Sequence, residues 1–380
     1  MTAADIAQLA RWFPLVDRPR PTYPPLAERV AEVRTLARDI EDAADPLLSA
    51  ARVLNRAALI ASDCGLPDLA WELCWRQIAP YCNAGRLTVR QAMHMLEPVV
   101  NLARLRIRAG DAETAWASLS TLYHALKTNT LAVIEGRSLP TQDLTGSPEE
   151  QRELRIWAYR VYLSEGTRAL VRLDRWREAL AHVEQNKGIG LHLLDGRQVK
   201  IVNACLAGDA DAALAVLDGS TITQPWEAQV SACLEVLCRL VDNPHADRET
   251  ALMVERYLAG RPEPGHAVFR ARLGLAVVDL TTCAAPARVH PAYAHVVEDA
   301  LDSADGYVAR EVLAHDGCRA FLNHADEKAF TSAAEAAGLG HSAIPDPLMA
   351  DLLAAVESSE TAIERTLDTP MRAGSGHAPA

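Results

Sequence analysis

The hexapeptide Gly65-Leu66-Pro67-Asp68-Leu69-Ala70 carries the pattern that decides the fold, a glycine followed five positions later by an alanine. Further copies begin at Gly110 and Gly208, and a fourth begins with Asp174 in place of glycine. A turn-tolerant residue ends one helix, and a small buried alanine lets the next helix pack closely against it. The last two copies lie 34 residues apart. The pattern predicts helical pairs that recur along the chain.

The composition predicts an all-α protein. The 380 residues are 49% hydrophobic, with aromatic residues at only 5%. Alanine and leucine, which favour helices, dominate the apolar residues, and alternating runs of β-branched residues are nearly absent. The chain is longer than one compact core usually allows, but a repeat array avoids this limit because each unit contacts only its neighbours. We therefore predict an α-solenoid of helical hairpins with a more irregular helical C-terminal part.

The chain divides into four predicted regions. Residues 1–45 contain a proline-rich arm, expected to lie extended on the first helix, and a helix over 26–44. Residues 46–220 contain the helical repeats, and residues 221–369 form the irregular helical region. Residues 370–380, rich in Gly, Ser, Ala and Pro, are predicted to be a disordered tail.

Residues 129–149 interrupt the repeats with a segment predicted to be a long loop. It contains Gly136, Pro140, Gly146 and several Ser and Thr residues, and Ser147-Pro148-Glu149-Glu150 is typical of the start of a helix. Long loops inside compact repeats are uncommon and are often functional. The segment is therefore either a lid or contact surface, or a passive insertion.

The repeats resemble the tetratricopeptide repeat (TPR) over roughly residues 46–220. The resemblance rests on the stretches Ala169–Leu180 (ALVRLDRWREAL) and Ile201–Gly208 (IVNACLAG), although the repeat starts are 45, 64 and 34 residues apart. It implies hairpins whose first helices line a concave groove that binds peptides, proteins or small effectors, as in the ligand-reading part of many bacterial regulators. Small residues stand at the matching packing sites, namely Ala58, Ala70, Ala103, Ala115, Ala179 and Ala213.

Projecting the units onto that geometry predicts a groove rich in arginine and asparagine. Residues 51–108 contain eight Arg and four acidic residues, about +4 in a chain of net charge −12. Arginine and asparagine side chains suit carboxylate or phosphate ligands. The alternative is an ordinary solvated face that pairs with acids of the C-terminal half. The projected residues are Arg52, Asn55, Arg56, Asn101, Arg104, Arg108, Glu165, Arg168 and Gln198.

A second predicted ligand surface is one helix face next to the 129–149 segment. Arg152, Arg155, Tyr159 and Tyr162 follow one another at spacings of three, four and three, which places cations and phenols together. This face is either a polar wall for a ligand or core packing in which the arginine heads reach solvent.

Other classes of function have little support in the sequence. A net charge of −12 argues against direct binding of nucleic acid. No basic, apolar leader and no run of membrane-spanning length is present, and the eight cysteines form no C-x-x-C pair, so we expect a cytoplasmic protein with free thiols.

No metal, cofactor or nucleophile motif is evident. We therefore expect a binding or adaptor protein that holds a peptide, a protein segment or a small anionic ligand, without a cofactor and as a possible homodimer. The alternative is an accessory enzyme that acts on a peptide in the same groove.

Overall fold

A computed structural model describes residues 2–243, 246–261 and 263–368. These residues form 18 α-helices and one two-stranded sheet, which confirms that the protein is all-helical. The tail predicted at 370–380 lies outside the described residues. The helices of the first half are α1 Ala3–Ala10, α2 Leu26–Arg38, α3 Pro46–Asp63, α4 Pro67–Ile78, α5 Val89–Arg108, α6 Ala112–Thr128, α7 Pro148–Arg172, α8 Trp176–Gln185 and α9 Asp195–Leu206.

The second half is helical as well, as its composition indicates. One helix expected over 307–322 is two helices, because the His315 side chain caps the second and accepts a hydrogen bond from the Cys318 N–H (3.1 Å). The remaining helices are α10 Ala210–Asp218, α11 Pro225–Asp242, α12 Asp247–Ala259, α13 Ala267–Ala284, α14 Val289–Ser303, α15 Gly306–Leu313, α16 Asp316–Phe321, α17 His324–Ala336 and α18 Asp346–Asp368.

The four junction motifs adopt the same backbone conformation. Gly65, Gly110, Asp174 and Gly208 have φ of 78°, 84°, 58° and 78°, the left-handed conformation that ends a helix. At each junction the next residue donates its N–H to a carbonyl five residues earlier, from Leu66 to Ala61, Asp111 to Arg106, Arg175 to Leu170 and Asp209 to Ala204. The motif alanines Ala70, Ala115, Ala179 and Ala213 are fully buried. Local turn chemistry thus defines where each of these pairs bends.

The described chain forms two compact units. Unit 1 comprises residues 2–26 and 163–341, and unit 2 comprises residues 27–162 and 342–368. In unit 2, α3 contacts α4, α5 and α18, and α5 contacts α6. In unit 1, each helix from α8 to α15 contacts the next, and α1 packs on α9, α11 and α13. The division that the sequence suggests at residue 220 falls within unit 1.

The proline-rich arm is bound to unit 1, whereas the sequence led us to expect it on the first helix. Buried Gln198 accepts a hydrogen bond from the Leu15 N–H (2.8 Å) and donates one to the Leu15 carbonyl (2.7 Å). Further along, the Tyr23 N–H donates to Asp305 (2.9 Å). Side-chain and backbone partners therefore hold the arm in an extended path.

The 129–149 segment contains a β-hairpin instead of the expected loop. Strand β1 (Ala132–Ile134) pairs antiparallel with β2 (Arg137–Leu139). Glu135 at the tip accepts hydrogen bonds from Trp71 Nε1 (2.9 Å) on α4 and from Arg106 on α5, and Arg137 lies 4.1 Å from the Trp71 ring centroid. The tip is therefore attached to the neighbouring helices of unit 2.

Candidate functional site

Three of the predicted groove residues contact one another on α3 and α5 of unit 2. Asn101 on α5 donates a hydrogen bond to Asn55 on α3 (2.8 Å), and Arg104 donates one to the Asn101 side chain (3.3 Å). Asn101 is only 6% exposed. An asparagine pair at this depth satisfies its own polar groups, so it joins α3 to α5 and leaves Arg104 at the surface.

Other predicted arginines of this face form ion pairs with acids of the same unit. Arg56 pairs with Glu32, and Arg108 pairs with buried Asp63 at 3.0 Å. Arg29, which the sequence did not single out, contacts the second oxygen of Asp63 at 2.5 Å. These two acids lie on α2 and α3, whereas Arg76 of the same segment pairs with Glu360 of the C-terminal half, as the solvated-face alternative expects. Much of the local positive charge is therefore neutralised within unit 2.

Arg52 differs from these residues because it is exposed and forms no ion pair or hydrogen bond with any described residue. Its guanidinium is therefore available to solvent. A single accessible arginine on an otherwise paired face is a weak site for an anion, because one exposed pair contributes at most about 1 kcal/mol.

Arg168, Glu165 and Gln198 belong to unit 1 and have structural partners there. Arg168 lies 3.3 Å from Glu165 and 3.5 Å from Asp195, and Arg18 lies 2.5 Å from Asp195. Burial raises the pKa of Asp195, and the nearby Arg18 guanidinium opposes this rise. Gln198 holds the N-terminal arm. These side chains form a network that fixes the arm and α9.

The predicted face of α7 packs on α6 through an aromatic cluster. The Tyr123 and Tyr162 rings stack at 4.4 Å between centroids with an interplanar angle of 7°, and Trp116 stacks on Tyr162 at 5.5 Å. Tyr162 is 8% exposed, and burial raises its pKa. Tyr162 therefore lies in the core, as the packing alternative expects, and it positions the ring of Tyr123.

The same two helices form an open groove of about 410 Å³ directly beside this cluster. Three of the side chains that line it are cationic, two are phenols, one is aliphatic and none is acidic. The lining residues are Tyr123, Lys127, Arg152, Arg155, Ile156 and Tyr159. Arg155 and Tyr159, both predicted ligand residues, are thus brought together with residues of α6.

The cations of the groove are poorly neutralised. Within the described part of the chain, Arg152 and Arg155 form neither a hydrogen bond nor an ion pair, and both are exposed. The Lys127 Nζ lies 5.7 Å from the Tyr123 ring centroid, a weak cation–π contact. Three positive charges therefore share one groove without an opposing carboxylate, which raises the local potential for anions.

Capping interactions set the positions of the two groove helices. Asn129 ends α6 at φ 56°, and its side chain exchanges hydrogen bonds with Asp143 at 2.8 and 2.9 Å. At the start of α7, Ser147 accepts from the Glu150 N–H (3.1 Å), and Glu150 accepts from the Ser147 N–H (3.3 Å). These contacts tie both helix ends to the hairpin segment, so the groove is built on fixed elements.

Sequence reasoning missed the α6 wall of the groove. Tyr123 and Lys127 are four residues apart and share a helix face, which is a signal that the sequence does contain. Nothing in the sequence indicates that this face meets the start of α7, since the connecting segment reads as a loop of unknown path. The path is known only from the structure, in which the segment contains the β1–β2 hairpin.

No cluster of three or more His, Cys, Asp or Glu suited to a metal ion occurs in the described residues. Among these residues, no helix combines the length and apolar character needed to cross a membrane. No protein-family model matches the chain, and no curated protein or solved structure matches it either.

Proposed function

We propose that this chain is a helical binding protein that holds an anionic ligand in the groove between α6 and α7. The observation that carries the proposal is the groove's lining, in which three cations and two phenol rings occur without an acid. Because these cations form no ion pair with the described residues, a ligand can bind them without breaking an existing ion pair. An anion bound here would gain electrostatic attraction and contact with aromatic surface.

We further propose that the helical pairs are TPR-like and stack as a solenoid within each unit. The four equivalent junctions, and the contacts between consecutive helices from α3 to α6 and from α8 to α15, support this assignment. In repeat proteins of this kind each pair packs only against its neighbours, and the surface between pairs is free to bind a partner. The groove would then serve an adaptor or a regulatory sensor, because no contact among its lining residues favours the accessory-enzyme alternative.

A reducing compartment, such as the cytoplasm, is part of the same proposal. All eight cysteines are free, and Cys205 and Cys238 remain thiols although their sulfur atoms lie 3.6 Å apart. Burial raises the pKa of the Cys74 thiol to about 12, which keeps it protonated and unreactive. Buried free thiols of this kind are typical of proteins that function where disulfides do not form.

The test is equilibrium binding of a fluorescein-labelled decaglutamate at low ionic strength. We expect binding by the native protein and its loss in the triple variant Lys127→Gln, Arg152→Gln, Arg155→Gln. The matched control is Arg86→Gln, Arg177→Gln, Arg248→Gln, which removes the same charge from exposed arginines without an ion pair in the described chain. Equal binding by all three proteins would refute the groove as an anion site.

A separate variant distinguishes the groove from the α3–α5 face. Arg52→Gln combined with Arg104→Gln removes two cations from the face that the TPR resemblance indicates. If the α6–α7 groove is the site, this double variant binds the probe as the control does. Loss of binding in the double variant alone would move the site to the α3–α5 face.

A further inference from the structure

The groove has apolar walls that an inorganic anion would leave in contact with water. The Tyr123 and Tyr159 rings lie 6.5 Å apart, and Ile156, which lines the same groove, is 43% exposed. Nearly half of this isoleucine is therefore in contact with water. A ligand that brings an apolar group together with its negative charges would cover this surface, which favours binding.

The size of the groove corresponds to a short piece of extended chain. From Arg152 to Tyr159 is seven residues, or about 10 Å along α7 at the usual helical rise. About three residues of an extended peptide span that distance. Arg152 and Arg155 lie toward one end of this span and Tyr159 lies at the other. Acidic residues of such a tripeptide would lie near the cations, and a neighbouring apolar side chain would lie against the rings and Ile156.

The groove is also open. Lys127, Arg152, Arg155 and Ile156 are all exposed, whereas sites for small molecules usually enclose most of the ligand surface. An open groove allows a chain to enter at one end and leave at the other. This geometry favours a segment of a longer polypeptide over an isolated small molecule.

The charge of the groove also decides between possible occupants. Residues 369–380 of this chain contain Arg372 and no acidic residue, so they are poor partners for three cations. We propose that the groove, if it is the anion site proposed above, binds an acidic segment of a partner protein, with an aromatic or branched aliphatic side chain next to its acidic residues. Such a segment matches the lining in charge, in apolar surface and in length.

The test uses fluorescence anisotropy with the full chain to compare three labelled nonapeptides of equal charge and one neutral nonapeptide. Each of the three carries a central Asp-X-Glu in a Gly-Ser context, with X as Phe, Leu or Ser, and the neutral peptide carries Asn-Phe-Gln. We expect the Phe and Leu peptides to bind at least about tenfold more tightly than the Ser peptide, since covering a large apolar side chain has an effect of that size. The neutral peptide should bind poorly.

A matched variant separates apolar recognition from charge. Ile156→Ser should weaken binding of the Phe peptide more than binding of the Ser peptide and so reduce the preference for Phe, and circular dichroism checks that the variant folds. Lys127→Gln with Arg152→Gln and Arg155→Gln should abolish binding of every acidic peptide.

Three outcomes would overturn the inference. Equal binding of the Phe, Leu and Ser peptides, or equally effective competition by inorganic phosphate, would leave an anion site without peptide recognition. If the native protein self-associates and the triple cation variant does not, the groove binds a second copy of the chain instead of a partner protein. If none of the acidic peptides binds and the native protein and the triple variant behave alike, the proposed anion site is refuted as well.

Discussion

Glu227 shows how one residue holds a buried negative charge in unit 1. Its side chain accepts hydrogen bonds from the N–H groups of Leu193 (3.3 Å), Thr223 (2.8 Å) and Gln224 (3.0 Å) and from the Thr223 hydroxyl. Burial alone would raise the pKa of Glu227, but these donors outweigh it and lower the pKa to about 2. The carboxylate therefore fastens the start of α11 to the segment before α9.

Replacing this carboxylate should destabilise unit 1. Glu227→Gln removes a charged acceptor and leaves buried N–H groups less well bonded, which we expect to cost about 1–3 kcal/mol at pH 7. Because the native pKa lies below the ordinary value of 4.5, the contribution is complete above pH 4.5 and is lost as pH falls toward 2. Urea unfolding at pH 7 and pH 3 measures the change. A difference that does not shrink at pH 3, or an equal loss in the exposed control Glu255→Gln, would contradict this account.

Asp63 is the equivalent case in unit 2, where two arginines share one buried carboxylate. Arg29→Ala should leave Asp63 with only Arg108 and destabilise the unit by on the order of 3 kcal/mol, because an incompletely paired charge would remain buried. The control Arg52→Ala removes an exposed arginine without an ion pair in the described chain and should have almost no effect. Thermal unfolding compares the two variants, and similar losses would show that the burial of Asp63 has no consequence.

At the scale of elements, the four helical junctions depend on left-handed backbone conformation. At Gly110, φ is 84° and an added Cβ would meet no atom within 4 Å, so the cost of a side chain is purely conformational. Gly110→Ala should destabilise unit 2 by about 1–2 kcal/mol. Gly146→Ala, at a glycine without positive φ, serves as the control in denaturant titrations. Equal stability of the two variants would argue against the role of the junction.

The hairpin is the other element on which the groove depends. Glu135→Ala removes the acceptor of Trp71 and Arg106, and we expect faster amide hydrogen exchange over 132–139 with an unchanged helix content. The exposed control Gln142→Ala should exchange as the native protein does. A hairpin as protected in Glu135→Ala as in the native protein would show that the tip contacts do not hold it.

At the scale of the whole molecule, unit 2 is assembled from segments far apart in sequence. Helix α18 packs on α3, buries Leu352, Val356 and Ile363, and bonds Glu360 to Arg76 of α4 at 2.6 Å through both oxygens. The last helix of the described chain therefore covers part of α3. The stability of α3 thus depends on residues about 300 positions later.

Removing apolar volume from α18 should therefore weaken unit 2. Leu352→Ala leaves a cavity at a fully buried position and should cost about 2–5 kcal/mol. Hydrogen exchange followed by mass spectrometry should show the loss of protection in α3 and α18, with unit 1 unchanged. The half-exposed control Leu301→Ala should change little. Loss of protection confined to α18 would show that the helix contributes little to α3.

The helical class, the starts of several helices and the four junctions follow from local sequence alone. α2 begins at Leu26 as predicted but ends at Arg38 and not at 44, and α7 begins at Pro148 directly after the predicted capping residue Ser147. These features are predictable because alanine and leucine content, capping residues and left-handed turns act through interactions between near neighbours. The same local signals placed Arg155 and Tyr159 on one face of α7.

Which helix faces contact one another depends on long-range packing. In the structure Arg56 pairs with Glu32 and Arg108 pairs with Asp63. The segment predicted to be a loop forms a hairpin attached to α4 and α5, and Tyr123 and Lys127 line the same groove as Arg155. The tertiary structure also brings α18 to α3 across most of the chain. These pairings depend on burial and shape at long sequence separation, which local propensity does not encode, so the groove emerges only when α6 and α7 are seen together.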